Sequence, residues 1–401
     1  MDCLELYEDA IHHINHSTTY ISPTDVEKWL SVAIVNHQAC QNGFKDLKKN
    51  LLQNFSKSLV DLLADNKPST SIAYFSKAIE TNLVVAQDGS GDFKTITRAL
   101  KASQHRRTGT DRFVIHVKSG VYKEHIFIKQ SMINLTLIGD GIDATVITNN
   151  RNCKDGYITA DTATVQIWGS GFVAIGITFE NTAGPRKQQV IALLSASDLS
   201  IFYKCSFKGY QDTLCLLKYR QFYRECDIYG TIDFIFGDAA AVLQNCNIYV
   251  RNPLPGQQNT ITAQGRTDAR STTGFVMHNS HFTAAPDLIL AQESGVGSIR
   301  TFLGRPWKDY SRVVFIKCYL DSLIDSLGWM PFQGNSDSVF DKVYYAEYMN
   351  TGNGANTGGR VRWPGYHVLS TASEVEQFSV QSFFDGELWI PSTGVPFDSS
   401  L

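Results

Sequence analysis

The 401-residue chain contains no run of about 18 apolar residues, which excludes a transmembrane helix and gives no reason to expect a membrane partner. It also lacks an excess of either charge. Its 36 basic residues stand against 39 acidic ones, so nothing points to nucleic acid as a partner. No His/Cys cluster with ligand spacing is present, and no metal or other cofactor is expected. The opening residues, MDCLELYEDAIHHINHS, do not run from basic to apolar as a signal peptide does, so the chain as it stands carries no export address. What is there points the other way. Eight cysteines and three sequons, at Asn15, Asn54 and Asn134, fit an oxidising, secretory environment. A chain of this length can bury a large core and exceeds one typical domain.

Two textures divide it. Residues 1–75 read as helical: Leu4, Tyr7, Ile11 and Ile14 fall at helical spacing, and Thr24 to Glu27 has the form of a capping box before Trp29 and Leu30. Leu47, Leu51, Phe55 and Leu59 continue the stripe at intervals of four. Cys3 and Cys40 would lie on different helices of this segment, and spacing alone leaves a bridge between them open. The period fades in DNKPSTS, which ends at Ser71, and residues 76–81 read as a linker. From 82 to 401 short β-rich runs take over: Leu83 to Ala86, Phe113 to Val117, Leu135 to Ile138, Val173 to Phe179, Leu199 to Phe207, Val242 to Val250, Phe275 to Phe282 and Val313 to Leu320. The segments YKCSF, RECDIY, QNCNIY, HNSHF and IKCYL recur among them, which favours stacked coils over a β-sandwich. The fold class is therefore all-β, a right-handed parallel β-helix preceded by a short α-helical segment.

Within that region one stretch carries the chemistry, Gly209 to Gly237, GYQDTLCLLKYRQFYRECDIYGTIDFIFG. Asp212 and Asp233 sit among apolar and aromatic residues, where bare charge is costly. They are 21 residues apart, and similar sequence surrounds each. If one such unit is one coil, equivalent positions in successive coils stack at the strand spacing of roughly 4.8 Å and both carboxyls face one groove. Like charges that close do not ionise independently, so one carboxyl tends to keep its proton, giving an acid beside a nucleophile. The same residues also admit plainer roles. Asp233 could be a turn residue, Gln189 and Gln211 a polar ladder, Arg305 a surface residue and Trp307 packing.

The motifs GVYKE (Gly120 to Glu124), QVIAL (Gln189 to Leu193), GYQDTL (Gly209 to Leu214), DFIFG (Asp233 to Gly237) and LGRPW (Leu303 to Trp307) occur in the order and approximate spacing of the plant pectin methylesterases. The resemblance runs from about Asn82 to the C-terminus, and residues 1–75 resemble the second part of the inhibitor-like pro-region of that family, without its first helical hairpin. It implies a carboxylic ester hydrolase that removes methyl groups from esterified galacturonate in pectin. Asp233 aligns with the nucleophile and Asp212 with the general acid, which then serves as base. Gln189 and Gln211 align with the donors to the oxyanion, and Arg305 with the residue holding the nucleophile. Thr159, Gln189, Arg305 and Trp307 align with substrate-contacting positions, and Cys226 and Cys246 with a paired cysteine position. Cys153, Cys205, Cys215 and Cys318 read as buried thiols. The partners implied are methyl-esterified homogalacturonan and a proteinaceous inhibitor, with the chain acting as a monomer, secreted to the cell wall.

Three positions depart from the family pattern. Ala160 stands where phenylalanine is usual, which removes an aromatic wall, and Cys215 where tyrosine is usual. Asp238 replaces an asparagine after DFIFG and would raise carboxyl pKa values in the site if it pointed inward. Two other functions share parts of this pattern: a two-carboxylate glycoside hydrolase, and a pectin-binding wall protein with little catalysis. Amide donors suited to an acyl oxyanion favour the esterase.

Overall fold

A computed structural model describes residues 80–107, 109–294 and 299–401. The helical pattern over 1–75, its capping box and the Cys3–Cys40 question lie outside the described residues.

Three parallel sheets, of eleven, seven and eight strands, wind around one interior as a right-handed parallel β-helix. Each central coil contributes one strand to each sheet, the end coils adding to the eleven-stranded sheet alone, and the register of one coil is passed to the next. In the eleven-stranded sheet Leu137, Ala174, Phe202, Tyr223, Leu243, Met277 and Phe315 form one column. All seven are fully buried and face the interior. Alternate residues of the same strands, such as Ile201, Phe222, Val242 and Val276, face outward, and the C-terminal segment covers them with Val375, Phe378, Phe384, Trp389 and Ile390. The helix Ile96–Arg106 turns Ile96, Ala99 and Leu100 into the interior, and the carboxylate of Glu124 accepts from the N–H groups of Ile96 and Thr97, both at 2.8 Å, at its N-terminus.

The corner between the eleven- and eight-stranded sheets needs only one residue. Lys204, Glu225, Asn245, Asn279 and Lys317 occupy it in successive coils, all with φ between 48° and 56°. Each still donates its N–H to the coil that follows, for example Lys204 to Arg224 O at 3.0 Å, so the ladder runs through the corner and offsets the strain of a left-handed non-glycine residue. The next residue turns inward, which explains the recurring cysteines: Cys205, Cys226, Cys246, Ser280 and Cys318 stack there. The pairing of Cys226 with Cys246 does not form. Both are free thiols, Cys226 donating to Phe202 O at 3.3 Å and Cys246 to Tyr223 O at 3.7 Å. Side chains at one register position of stacked coils project in parallel, about 4.8 Å apart, while a disulfide brings its Cβ atoms to about 3.8 Å. Each thiol instead donates to a carbonyl of the preceding coil.

Candidate active site

The site lies on the seven-stranded sheet. Its strands pass the register Leu193, Leu214, Ile235, Thr262 and Gly304 from coil to coil. The site residues lie along one end of these strands: Gln189, Gln211 and Asp212 precede theirs, Asp233 sits in the register irregularity near the start of Ile232–Gly237, and Arg305 follows Thr301–Gly304. Val190 N donates to Gln211 O at 3.1 Å, Asp212 N to Ile232 O at 3.0 Å and Arg305 N to Thr262 O at 2.9 Å, so Gln189, Gln211–Asp212, Asp233 and Arg305 come from stacked chain segments. Asp212 and Asp233 both adopt left-handed backbone, with φ of 63° and 51°, a conformation aspartate tolerates better than most residues. Asp212 turns just before the strand Leu214–Leu216, whereas Asp233 turns within Ile232–Gly237, where the pairing with the next strand shifts register between Ile232 and Ile235.

The two carboxyls have different surroundings. Asp233 is held from three directions: Arg305 Nε donates to Oδ1 at 2.8 Å, Arg305 Nη2 to Oδ2 at 2.7 Å, and Thr260 Oγ1 to Oδ1 at 2.7 Å. Thr260 Oγ1 also accepts from Asp233 N at 2.9 Å, which fixes the residue at both ends. Arg305 rests over the ring of Phe332, 4.6 Å from its centre. Asp212, one coil away and only 8% exposed, has a carboxyl that hydrogen-bonds no group among the described residues. Burial pushes that carboxyl well above the usual carboxylate range; the charge of Asp233 adds to the shift and the Arg305 guanidinium opposes it. A fork-bound carboxylate thus stands beside a carboxyl that keeps its proton.

The side-chain amides of Gln189 and Gln211 likewise have no hydrogen-bond partner among the described residues, and both residues are half-buried. Thr159 opens a short 3₁₀ turn, Thr159–Thr162, with its Oγ1 3.6 Å from Cys153 Sγ, and Cys153 N donates to Gln189 O at 3.4 Å. Trp307 is half-buried and meets Phe236 edge to face at 6.1 Å. Gly265 makes room for it, since a Cβ there would lie 2.7 Å from Trp307 Cε3. Between these residues the outer side of the sheet is apolar, with Leu194, Cys215, Phe236 and Ala263 at one register position in four strands. Burial, with Asp212 alongside, pushes the Cys215 thiol up, so this residue acts as a small hydrophobe. Half-buried Ala160 belongs to the same apolar patch, and aromatic surface on that side comes from Trp168 and from Phe127, 49% exposed and 6.4 Å from it.

Sequence reasoning missed Thr260 and Phe332, which grip Asp233 and Arg305. Neither residue carried a signal, since each works only through a coil-to-coil contact. Asp238 does not turn toward Asp233. Its Oδ1 accepts from Thr273 Oγ1 at 2.5 Å and Gln264 Nε2 at 3.2 Å, with Arg266 and Arg312 as the charges nearby. Among the described residues no group of three or more His, Cys, Asp or Glu is placed to hold a metal ion.

Residues 82–387 match the family described as Pectinesterase. The chain belongs to the pectinesterase family. As a pectinesterase it is a carboxylic ester hydrolase. Residues 1–79 match a second family, the plant invertase/pectin methylesterase inhibitors. Among curated proteins the chain resembles Pectinesterase 2 of Citrus sinensis, 47% identical over 425 residues that span 100% of this chain and 81% of that one. Among solved structures it resembles the pectin methylesterase from carrot, with a TM-score of 0.77 and 44% identity over 80% of this chain and 99% of that one. A pectin methylesterase solved in complex with hexasaccharide VII aligns with a TM-score of 0.62 and 25% identity, over 81% of this pectinesterase and 100% of that chain.

Proposed function

We propose that this pectinesterase de-esterifies pectin through an acyl-enzyme on Asp233. Asp233 attacks the carbonyl carbon of a methyl-esterified galacturonate carboxyl, and the carbonyl π electrons move to oxygen. The oxyanion takes hydrogen bonds from the side-chain N–H groups of Gln189 and Gln211, which have no competing partner among the described residues. Collapse re-forms the carbonyl and breaks the bond to methoxy oxygen, which takes the Asp212 proton and leaves as methanol. Asp212, now a carboxylate, removes a proton from water as that water attacks the anhydride. A second collapse frees the galacturonate carboxyl and returns Asp233 as a carboxylate, with Asp212 protonated again. The observation that carries this reading is the asymmetry of the pair, since Arg305 and Thr260 fix Asp233 alone while the buried Asp212 carboxyl hydrogen-bonds no group among the described residues.

Thr159, Gln189, Arg305 and Trp307 hold the polymer, with the indole against a sugar face. The relative solved with a hexasaccharide supports a chain of pectin sugars as ligand. This substrate and the family together support secretion to the cell wall. All five proposed catalytic residues come from one chain, which supports action as a monomer. Residues 1–75 form an inhibitor-like segment joined through 76–81 to the catalytic region, and an inhibitor protein of the same kind is a second partner.

The test is methanol release from highly methyl-esterified pectin. Asp233→Ala is expected to lower kcat by about 10⁴-fold or more, since removing a nucleophile leaves only binding and oxyanion stabilisation. Methanol without new reducing ends identifies the esterase; new reducing ends would identify a glycoside hydrolase, and neither product a binder. A chain beginning at Asn82 that is more active than the full chain would make the N-terminal segment inhibitory.

A further inference from the structure

The turn Gly209–Asp212 carries one oxyanion donor and the acid, and a single side chain grips it from outside. Arg251 follows the strand Asn247–Val250. Its Nη1 donates to Gly209 O at 3.1 Å and its Nη2 to Tyr210 Oη at 2.8 Å, while the guanidinium lies 3.9 Å from the centre of the Tyr210 ring. On the far side Arg251 Nε donates to Asp287 Oδ2 at 3.0 Å, in the first turn of the helix Pro286–Glu293. Its backbone is fixed as well, with N donating to Gly230 O at 2.8 Å and O accepting from Asn259 Nδ2 at 3.1 Å. A planar cation stacked on one ring and bonded at both edges has one orientation.

The opposite side of the turn is closed too. Thr213 Oγ1 and Thr231 N both donate to Tyr210 O at 3.0 Å, and Thr213 fills the space beside Gly209, where a Cβ would come within 2.7 Å of its hydroxyl. The turn is thus held between Thr213 and Thr231 on one side and Arg251 on the other.

We propose that Arg251 is a positioning residue for the acid–base half of the reaction, clamping the turn so that the Gln211 amide and the Asp212 carboxyl are aimed at one reacting centre. This rests on the roles given above to Gln211 and Asp212. Arg251 hydrogen-bonds to neither of them, so it acts through the backbone and Tyr210. Its charge is already paired with Asp287, whereas the groups facing Asp212 are Asp233, Arg305 and the Cys215 thiol. Its contribution is one of geometry, where a small misplacement of a reacting group is costly in rate.

The test compares the full chain with its Arg251→Ala, Arg251→Lys and Tyr210→Phe variants for kcat, KM and pH profile in methanol release, with thermal unfolding in parallel. Arg251→Ala is expected to lower kcat roughly 10- to 100-fold with KM changed less than about twofold. The alkaline limb should move to lower pH, because a loosened turn admits water to Asp212 and eases its ionisation. Arg251→Lys should rescue little, since a lysine brings the charge without the fork or the stacking. Tyr210→Phe keeps the ring and removes one acceptor, so a loss of about 2- to 5-fold with the same shift in the limb is expected. If Arg251→Ala does not fold, Tyr210→Phe decides. An unmoved kcat and pH limb in the foldable variants, with only the unfolding temperature lowered, would overturn the proposal. Asp212→Asn separates the two levels: full activity there sinks the acid role and this proposal with it, whereas an inactive Asp212→Asn beside unaffected Arg251 and Tyr210 variants sinks this proposal alone.

Discussion

Of the fork-shaped arginine–carboxylate pairs among the described residues, the two least exposed have nearly the same geometry. Arg305 meets Asp233 at 2.8 and 2.7 Å, and Arg360 meets Glu347 at 2.7 and 3.1 Å. They differ in how far the surroundings close around them. The side chains of Arg360 and Glu347 are 1% and 2% exposed, and the remaining donors of Arg360 go to the carbonyls of Gly354, Asp325 and Ser326 while Tyr366 Oη donates to Glu347 Oε1 at 3.0 Å. That pair has no capacity left. Arg305 and Asp233 are 19% and 11% exposed, and the Asp212 carboxyl one coil away hydrogen-bonds no group among the described residues. An ion pair satisfied on every side holds a fold together, and the same kind of pair with one side open is the place for the proposed nucleophile.

The comparison breaks most visibly in activity. Asp233→Asn keeps the shape of the side chain and is expected to lower methanol release by about 10⁴-fold, with unfolding free energy changed by only about 1 kcal/mol. Glu347→Ala should behave in the opposite way. It leaves the Arg360 guanidinium buried and unpaired and should cost about 3–5 kcal/mol in urea unfolding, with kcat per folded molecule kept. Loss of activity in both variants in proportion to lost fold would show that the two pairs do the same work.

Asp212 sharpens the contrast through pH. Its carboxyl is pushed up in the folded state, so between the unfolded value of 3.8 and the raised folded one the native protein binds the extra proton. Stability from this group is therefore lost as pH rises through that window, and above it the folded state carries an ionised buried carboxyl. Asp212→Asn removes that cost. It should raise stability by about 1 kcal/mol above the window and by almost nothing below 3.8, while methanol release collapses at every pH. Equal stability changes at both pH extremes would mean that the carboxyl does not titrate as its burial requires.

What the sequence made legible follows from how local each feature is. Asp212 and Asp233 could be paired from spacing, because a 21-residue separation is one coil. The strand Phe113–Val117 has the bounds that its sequence pattern predicts. Runs such as Leu199 to Phe207 and Val242 to Val250 each hold two strands, since their corners at Lys204 and Asn245 use one left-handed residue with no glycine or proline to mark it. The helix Pro286–Glu293 and the short turns after Ala372 carry little periodicity of their own, whereas Ile96–Arg106 buries Ile96, Ala99, Leu100 and Ser103 at helical spacing, a pattern the sequence does contain. Arg305 lies 72 residues from Asp233 and Thr260 lies 27 away, contacts made by the winding of the coils. The family motifs flagged Arg305, while Thr260 had nothing to flag it. The disulfide failed for a similar reason, because alignment says which cysteines stack and nothing about where their sulfur atoms point.

The smallest effect concerns the third carboxylate of this face. Asp238 follows the strand that carries Asp233, and from sequence it promised to raise the carboxyl pKa values of the site. Burial does push the Asp238 carboxyl itself up, against hydrogen bonds from Thr273 and Gln264 that pull it down. The charges it meets are those of Arg266 and Arg312, whereas those acting on Asp212 are Asp233 and Arg305. The two sets share no member. Asp238→Asn is therefore expected to leave the pH profile of methanol release in place and to change stability by less than about 1 kcal/mol, since an asparagine oxygen still accepts from Thr273 and Gln264. A profile displaced by this substitution would connect the two sets of charges and end the separation between a carboxylate that supports the sheet and the pair proposed to perform the reaction.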